Sequence, residues 1–238
     1  MKAQFEQFYG FISKYVKMTE KDLVDLSQKC KLVKFSKGDV VIKSGVKSHY
    51  FYFIVKGIVQ YYIENEEGHS KIYNFRTENM TIAGYGPYNY NHQFKALMSV
   101  KCIEECEMIQ VSLDVLNYVV ENYKSGERLG RYMAEAHVVE LVNYIVDRDA
   151  KSIIEKYDHL EESFPNIHQR IPQYLIASYL GITAVHLCNL KKCRRTLKLP
   201  LHLLVLVIIG IILKNGLILV QVFLVQCLLH CILLIQRI

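Results

Sequence analysis

Apolar residues change their period three times along this chain, and each change predicts a new kind of element. Between residues 4 and 30, Phe5, Phe8, Phe11, Ile12 and Tyr15 fall on one helical face, and Thr19 with Asp22 three residues on marks a second helix start. From Leu32 to Val111 short runs of Val, Ile, Tyr and Phe are punctuated by Gly38, Gly45, Gly57, Gly68, Gly84 and Gly86, the pattern of small antiparallel strands. Glu66-Glu67-Gly68 lies between YYI and KIYNF, where a hairpin turn is expected. Cys102 and Cys106 fall in a segment that reads as one strand, on the same face and too far apart for one metal ion, so they are expected as buried structural cysteines.

Helical periodicity returns at Leu113. From Gly126 to Asp149 the residues Leu129, Tyr132, Ala136, Val139, Asn143 and Val146 recur at spacings of three and four, a stripe that can pack as a dimer seam or on the chain's own β domain. A short helix is expected from Ala150, then a break at FPNIHQRIP. The segment QYLIASYLGITAVHLCNLKK follows, with Ala177, Gly181, Leu187 and Leu190 at its fifth, ninth, fifteenth and eighteenth positions. That is helix-turn-helix spacing. A small residue at 177 lets two helices approach, Gly181 takes the turn, and the leucines bury the inner face of the second helix. Thr183 can cap this second helix, which leaves Ala184, Val185, Cys188, Asn189 and Lys192 facing outward as candidate DNA contacts.

Charge sharpens that reading. The net charge is +6, and Lys191, Lys192, Arg194, Arg195 and Lys198 lie within eight positions with no acid among them, which fits neutralisation of phosphates. The expected partner is double-stranded DNA. Seven cysteines without a CxxC pair, and an amphipathic N-terminus without a signal peptide, favour a cytoplasmic body and no disulfide framework. No cofactor or metal is expected, and no nucleophile–base pattern suggests an enzyme.

Two segments carry a family resemblance. AKSIIEKYDHLEESFPNIHQRIPQYLIASYLGITAVHLCNLKK resembles the C-terminal domain of Crp/Fnr-family regulators, particularly their Bacteroidetes-type members, and FSKGDVVIKSGVKSHYFYFIVKGIVQYYIENEEGHSKIYNF resembles the family's cyclic-nucleotide-binding-type β-roll. Together they cover about residues 1–195. The resemblance implies an α+β chain: a β-roll sensor domain with N-terminal helices over residues 1–112, a jelly roll of the cyclic-nucleotide-binding kind. Connecting helices with a long dimer helix follow at 113–149, then a helix-turn-helix domain at 150–198. It implies a homodimer, an unknown small-molecule effector and RNA polymerase as a partner. The stretch GYGPYNYNHQFKALMSVK lacks the Gly-Glu pair and the Arg that hold a cyclic nucleotide in the family and offers only Lys95 and Lys101, so another effector is expected. Where relatives commonly have Ser-Arg, this chain has Cys188-Asn189, and asparagine favours adenine.

Past Lys198 the composition turns apolar, with runs at 199–213 and 217–235 separated by Lys214-Asn215-Gly216. Three readings stand: a membrane-associated hairpin, an extra packed element, or the product of a shifted reading frame, which the abrupt change favours. The alternative function is accordingly a membrane-associated sensor module with a vestigial helix-turn-helix.

Overall fold

Thr19 does cap a helix: in the computed structural model its Oγ1 accepts a hydrogen bond from the Asp22 backbone N–H at 3.2 Å. The structure describes residues 3–83 and 95–197. The tail 199–238, Lys198 and residues 84–94 of the stretch GYGPYNYNHQFKALMSVK lie outside the described residues. The chain divides into two units, Met1–Ala184 and Val185–Ile238.

The first unit opens with α1 (Ala3–Ile12) and α2 (Glu20–Lys29). Eight strands follow: β1 (Lys31–Phe35), β2 (Val40–Ile42), β3 (Tyr50–Lys56), β4 (Val59–Glu64), β5 (Ser70–Arg76), β6 (Thr81–Ala83), β7 (Ser99–Cys102) and β8 (Cys106–Ser112). They form two antiparallel four-stranded sheets, ordered β1-β8-β3-β6 and β2-β7-β4-β5. The Glu66–Gly68 stretch turns β4 into β5, with the Asn65 N–H on the His69 carbonyl at 3.0 Å.

One apolar cluster joins strands of both sheets through Ile54, Val59, Ile82, Val100 and Met108. A second joins Phe5, Phe8, Phe11 and Ile12 of α1 to Phe51, Phe53, Ile109 and Val111 on the β1-β8-β3-β6 sheet. Alternation explains this division. Phe53 and Ile54 are adjacent, both fully buried, and side chains on a strand point to opposite faces. The first sheet is therefore covered on both sides, and β3 reads as a continuous apolar run rather than a polar–apolar alternation.

Five helices complete the unit: α3 (Leu113–Asn122), α4 (Gly126–Ala150), α5 (Ile153–Ser163), α6 (Ile167–Arg170) and α7 (Gln173–Leu180). Ser152 starts α5 with a full capping box to Glu155, which satisfies two backbone donors at that end. The next helix, α8 (Ala184–Leu197), starts at the last residue of the first unit and otherwise belongs to the second. Among the described residues no helix is long and apolar enough to cross a membrane.

One sequence expectation changes. Cys102 and Cys106 do not share a strand, because Cys102 ends β7 and Cys106 begins β8 across a three-residue turn. The turn brings the thiols together, and both are buried. The Cys106 thiol is pushed up by its hydrogen bond to Cys102 and by burial.

Gly57, between β3 and β4, packs against the same place. Its φ is +108°, and a Cβ there would lie 2.5 Å from the Cys106 Sγ and 2.7 Å from the Glu105 carbonyl oxygen. Gly57→Ala should therefore destabilise the protein by about 3 kcal/mol or more, from backbone strain plus overpacking. Urea denaturation checks this, and a loss below about 1 kcal/mol would contradict it.

Candidate functional site

The turn that the sequence places at Gly181 is built as expected. Gly181 ends α7 in the left-handed region at φ +70°. The Ile182 N–H reaches back to the Ala177 carbonyl at 3.0 Å and the Gly181 N–H to that of Ser178 at 3.2 Å, so two carbonyls of the last turn of α7 are satisfied. Ala177 is buried together with Leu175, Ile176 and Leu180.

In α8 exposure separates by helical face. Val185, Cys188, Asn189 and Lys192 are exposed, as are Thr183 and Ala184 just before them, while Leu187 and Leu190 are buried. Lys191 and Arg194 are half-buried. At 100° per residue Arg194 falls beside the two leucines, so the basic residues do not share one face. The side chains of Arg195 and Cys193 lie outside the described residues.

The residues before this pair of helices are tied to the sandwich. Arg170, at the end of α6, donates to Glu78 at 2.6 Å and 3.1 Å and also grips Glu104. Glu78 lies between β5 and β6, and Glu104 lies between β7 and β8. One guanidinium thus clamps two turns that are far apart in sequence. The Gly57 N–H adds 2.9 Å to Glu78 Oε1, and the Thr77 hydroxyl donates to the other oxygen. Burial pushes the Glu78 carboxyl up, but the bonds from Arg170, Thr77 and the Gly57 backbone prevail and hold it at about 2. On α7, Ser178 Oγ accepts from the Ile72 N–H at 3.3 Å, and Tyr179 stacks on Phe75 with ring centroids 5.5 Å apart. Both contacts lie on β5, an edge strand that α7 thereby covers.

The long helix α4 is turned in an unexpected way. Val138, Val139, Leu141, Val142, Ile145 and Val146 are between 43% and 60% exposed. Met133, His137, Glu140, Tyr144 and Asp147, on the other side, are half-buried. Glu140 pairs with Arg76, the last residue of β5, which is only 9% exposed. Of the expected seam, Leu129 and Tyr132 pack on the cluster under α1, whereas Ala136, Val139, Asn143 and Val146 are exposed. Sequence reasoning missed Arg76, Glu140, Arg170, Glu78 and Glu104, because ion pairs this remote in sequence leave no local pattern. Among the described residues no group of His, Cys, Asp or Glu could hold a metal ion.

Comparisons with known proteins agree with this architecture. A family model described as a cyclic nucleotide-binding domain matches residues 32–123. No curated protein matches the chain. Among solved structures it is similar to FixK2 from Bradyrhizobium japonicum, at 13% identity and TM-score 0.60, covering 70% of this chain and 85% of that one. It is similar also to the c-di-GMP responsive global regulator CLP of Xanthomonas campestris, at 10% identity and TM-score 0.54, covering 74% and 92%. The sensor domain of the transcriptional regulator DNR from Pseudomonas aeruginosa matches at 18% identity and TM-score 0.50, covering 64% and 99%. At these identities the likeness is one of fold: a cyclic-nucleotide-binding sandwich followed by helices.

The Arg170 clamp makes a pH-dependent contribution. A carboxyl held below its unfolded value stabilises the fold above about pH 4.5, and that stability is lost as pH falls toward about 2. Arg170→Gln should cost about 2 kcal/mol at neutral pH, and the difference from wild type should shrink as pH drops from about 5 to 2. Thermal melts across that range check it. A pH-independent difference would show that Glu78 is not the partner that matters.

Proposed function

We propose that the chain is a DNA-binding transcriptional regulator of the Crp/Fnr type, working as a homodimer whose sandwich responds to a small molecule other than a cyclic nucleotide. The observation that carries this reading is the division of α8: an exposed face of Val185, Cys188, Asn189 and Lys192, opposite buried Leu187 and Leu190, directly after a left-handed turn at Gly181. A helix of this kind suits the major groove, where Asn189 can bond an adenine edge twice and Lys192 can neutralise a phosphate. The likeness to regulators supports the same class. The missing Gly-Glu pair and Arg in residues 84–101 argue against a cyclic phosphate as effector.

A second copy of this chain is the partner for α4. Its exposed apolar residues recur as Val138, Val142 and Ile145 along one line, the three-four spacing of a two-stranded seam, and a helix face repeated by two-fold symmetry is complementary to itself. The seam in this reading is centred on Val138, Val142 and Ile145, rotated from the line through Ala136 and Asn143. Val138→Glu with Val142→Glu would bring four carboxylates into one seam. Light scattering should then report half the wild-type mass with helix content unchanged, and a mass unaltered by the two substitutions would remove this seam.

DNA binding is tested by salt titration of the full chain on its preferred site and on a random duplex. Lys192→Ala should weaken both alike and lower the salt slope by about one. Asn189→Ala should cost about 1–3 kcal/mol on the preferred site alone. Equal losses on the two duplexes for Asn189→Ala would refute its reading role, and no binding by the wild-type chain would refute the function.

A further inference from the structure

Between α1, α4 and the turn from β5 to β6 lies a cavity of about 150 Å³. Phe11, Met80 and Met133 give it apolar walls, and Arg76, His137 and Glu140 give it a charged and polar end. Arg76 and Thr81, which both line it, are two of the four buried polar residues among those described. The guanidinium of Arg76 is met there by Glu140, a carboxylate that α4 brings in from the outside and whose side chain is 39% exposed.

We infer that this cavity is the effector site, and that it takes a small monocarboxylic acid whose carboxylate replaces that of Glu140 on Arg76 while its apolar body fills the space among Phe11, Met80 and Met133. The inference rests on the regulator reading and gives its sensor a ligand class. Three features select that class. A nearly buried arginine demands an anion and presents a planar fork that fits a carboxylate. The volume is about that in which a benzene ring is held, so the body is one small ring or a short alkyl chain. His137 sits beside the pair, and burial together with Arg76 holds it below the usual imidazole range against the opposing pull of Glu140, so at neutral pH it offers a neutral donor or acceptor and not a second cation.

Exchanging one carboxylate for another leaves the charge balance at Arg76 unchanged, so the apolar body must supply the affinity. A dissociation constant of about 1 mM is expected for a fragment of this size. Binding also frees Glu140. The ion pair that joins Glu140 of α4 to Arg76 of β5 is then broken, and the helix that carries the exposed valines can turn.

The test uses the full chain with acetate, butyrate, hexanoate and benzoate at about 10 mM, and with benzamide as an uncharged match for benzoate. Benzoate or hexanoate should raise the melting temperature and shift the His137 imidazole resonances, while acetate and benzamide should do neither. Glu140→Gln removes the competing carboxylate and keeps Arg76, so benzoate should bind that variant about tenfold more tightly. Arg76→Gln, with its fold checked by circular dichroism, should lose the response. No stabilisation of wild type or of Glu140→Gln by any of the four acids would overturn the assignment. So would equal binding of benzamide, or unchanged binding by Arg76→Gln. None of these readouts involves DNA, so a chain that binds no duplex would fail as a regulator without deciding this site, and the reverse also holds.

Discussion

Arg76 ends a strand with less than a tenth of its surface exposed, and its charge is met by Glu140 of α4. Leaving such a charge buried and unpaired would cost several kcal/mol, so the pairing constrains how α4 is rotated about its own axis. With Glu140 turned toward β5, residues half a turn away must face outward, and these are the valines, leucine and isoleucine from 138 to 146. A helix with its polar side in and its apolar side out is an incomplete structure. The buried arginine is what makes α4 a surface for a second copy in the proposed regulator.

The same short turn fixes the C-terminal helices. Two residues beyond Arg76, Glu78 holds Arg170 of α6, and the next residue, Asn79, accepts from Gln7 of α1 at 3.1 Å. Residues 76–79 therefore touch α1, α4 and α6 at once. Ser178 and Tyr179 of α7 add their contacts to β5, the strand leading into that turn. In the proposed regulator, a small displacement here would change the rotation of α4 and the seating of α6 and α7 together, which is the route that reading gives from effector to DNA.

Parts of this were written in local sequence and parts were not. The Thr19 cap, the turn at Glu66–Gly68 and the end of α7 at Gly181 depend on residues within five positions of one another, and each is where the sequence places it. The Cys102–Cys106 turn reads as continuous strand because its residues, Ile103-Glu104-Glu105, include no glycine, proline or asparagine to mark a turn. Which side of α4 faces its own sheet is not legible in the sequence, since Val138, Val139, Leu141, Val142, Ile145 and Val146 allow several three-four lines beside the one through Leu129, Tyr132, Ala136, Val139, Asn143 and Val146. It is the distant Arg76 that holds the Glu140 side inward. The Arg170 clamp spans 92 residues to Glu78 and 66 to Glu104, and no pattern within the segment NIHQRIP announces it.

The central claim is that two copies of this chain present α8 to DNA across a two-fold axis. Selection of bound sequences from a pool of random duplexes tests it directly, because the protein's symmetry must reappear in its site. The account predicts an inverted repeat whose half-sites are centred about 10 base pairs apart, or a multiple of that. Enrichment of a single unrepeated element, or no enrichment at all, would contradict it.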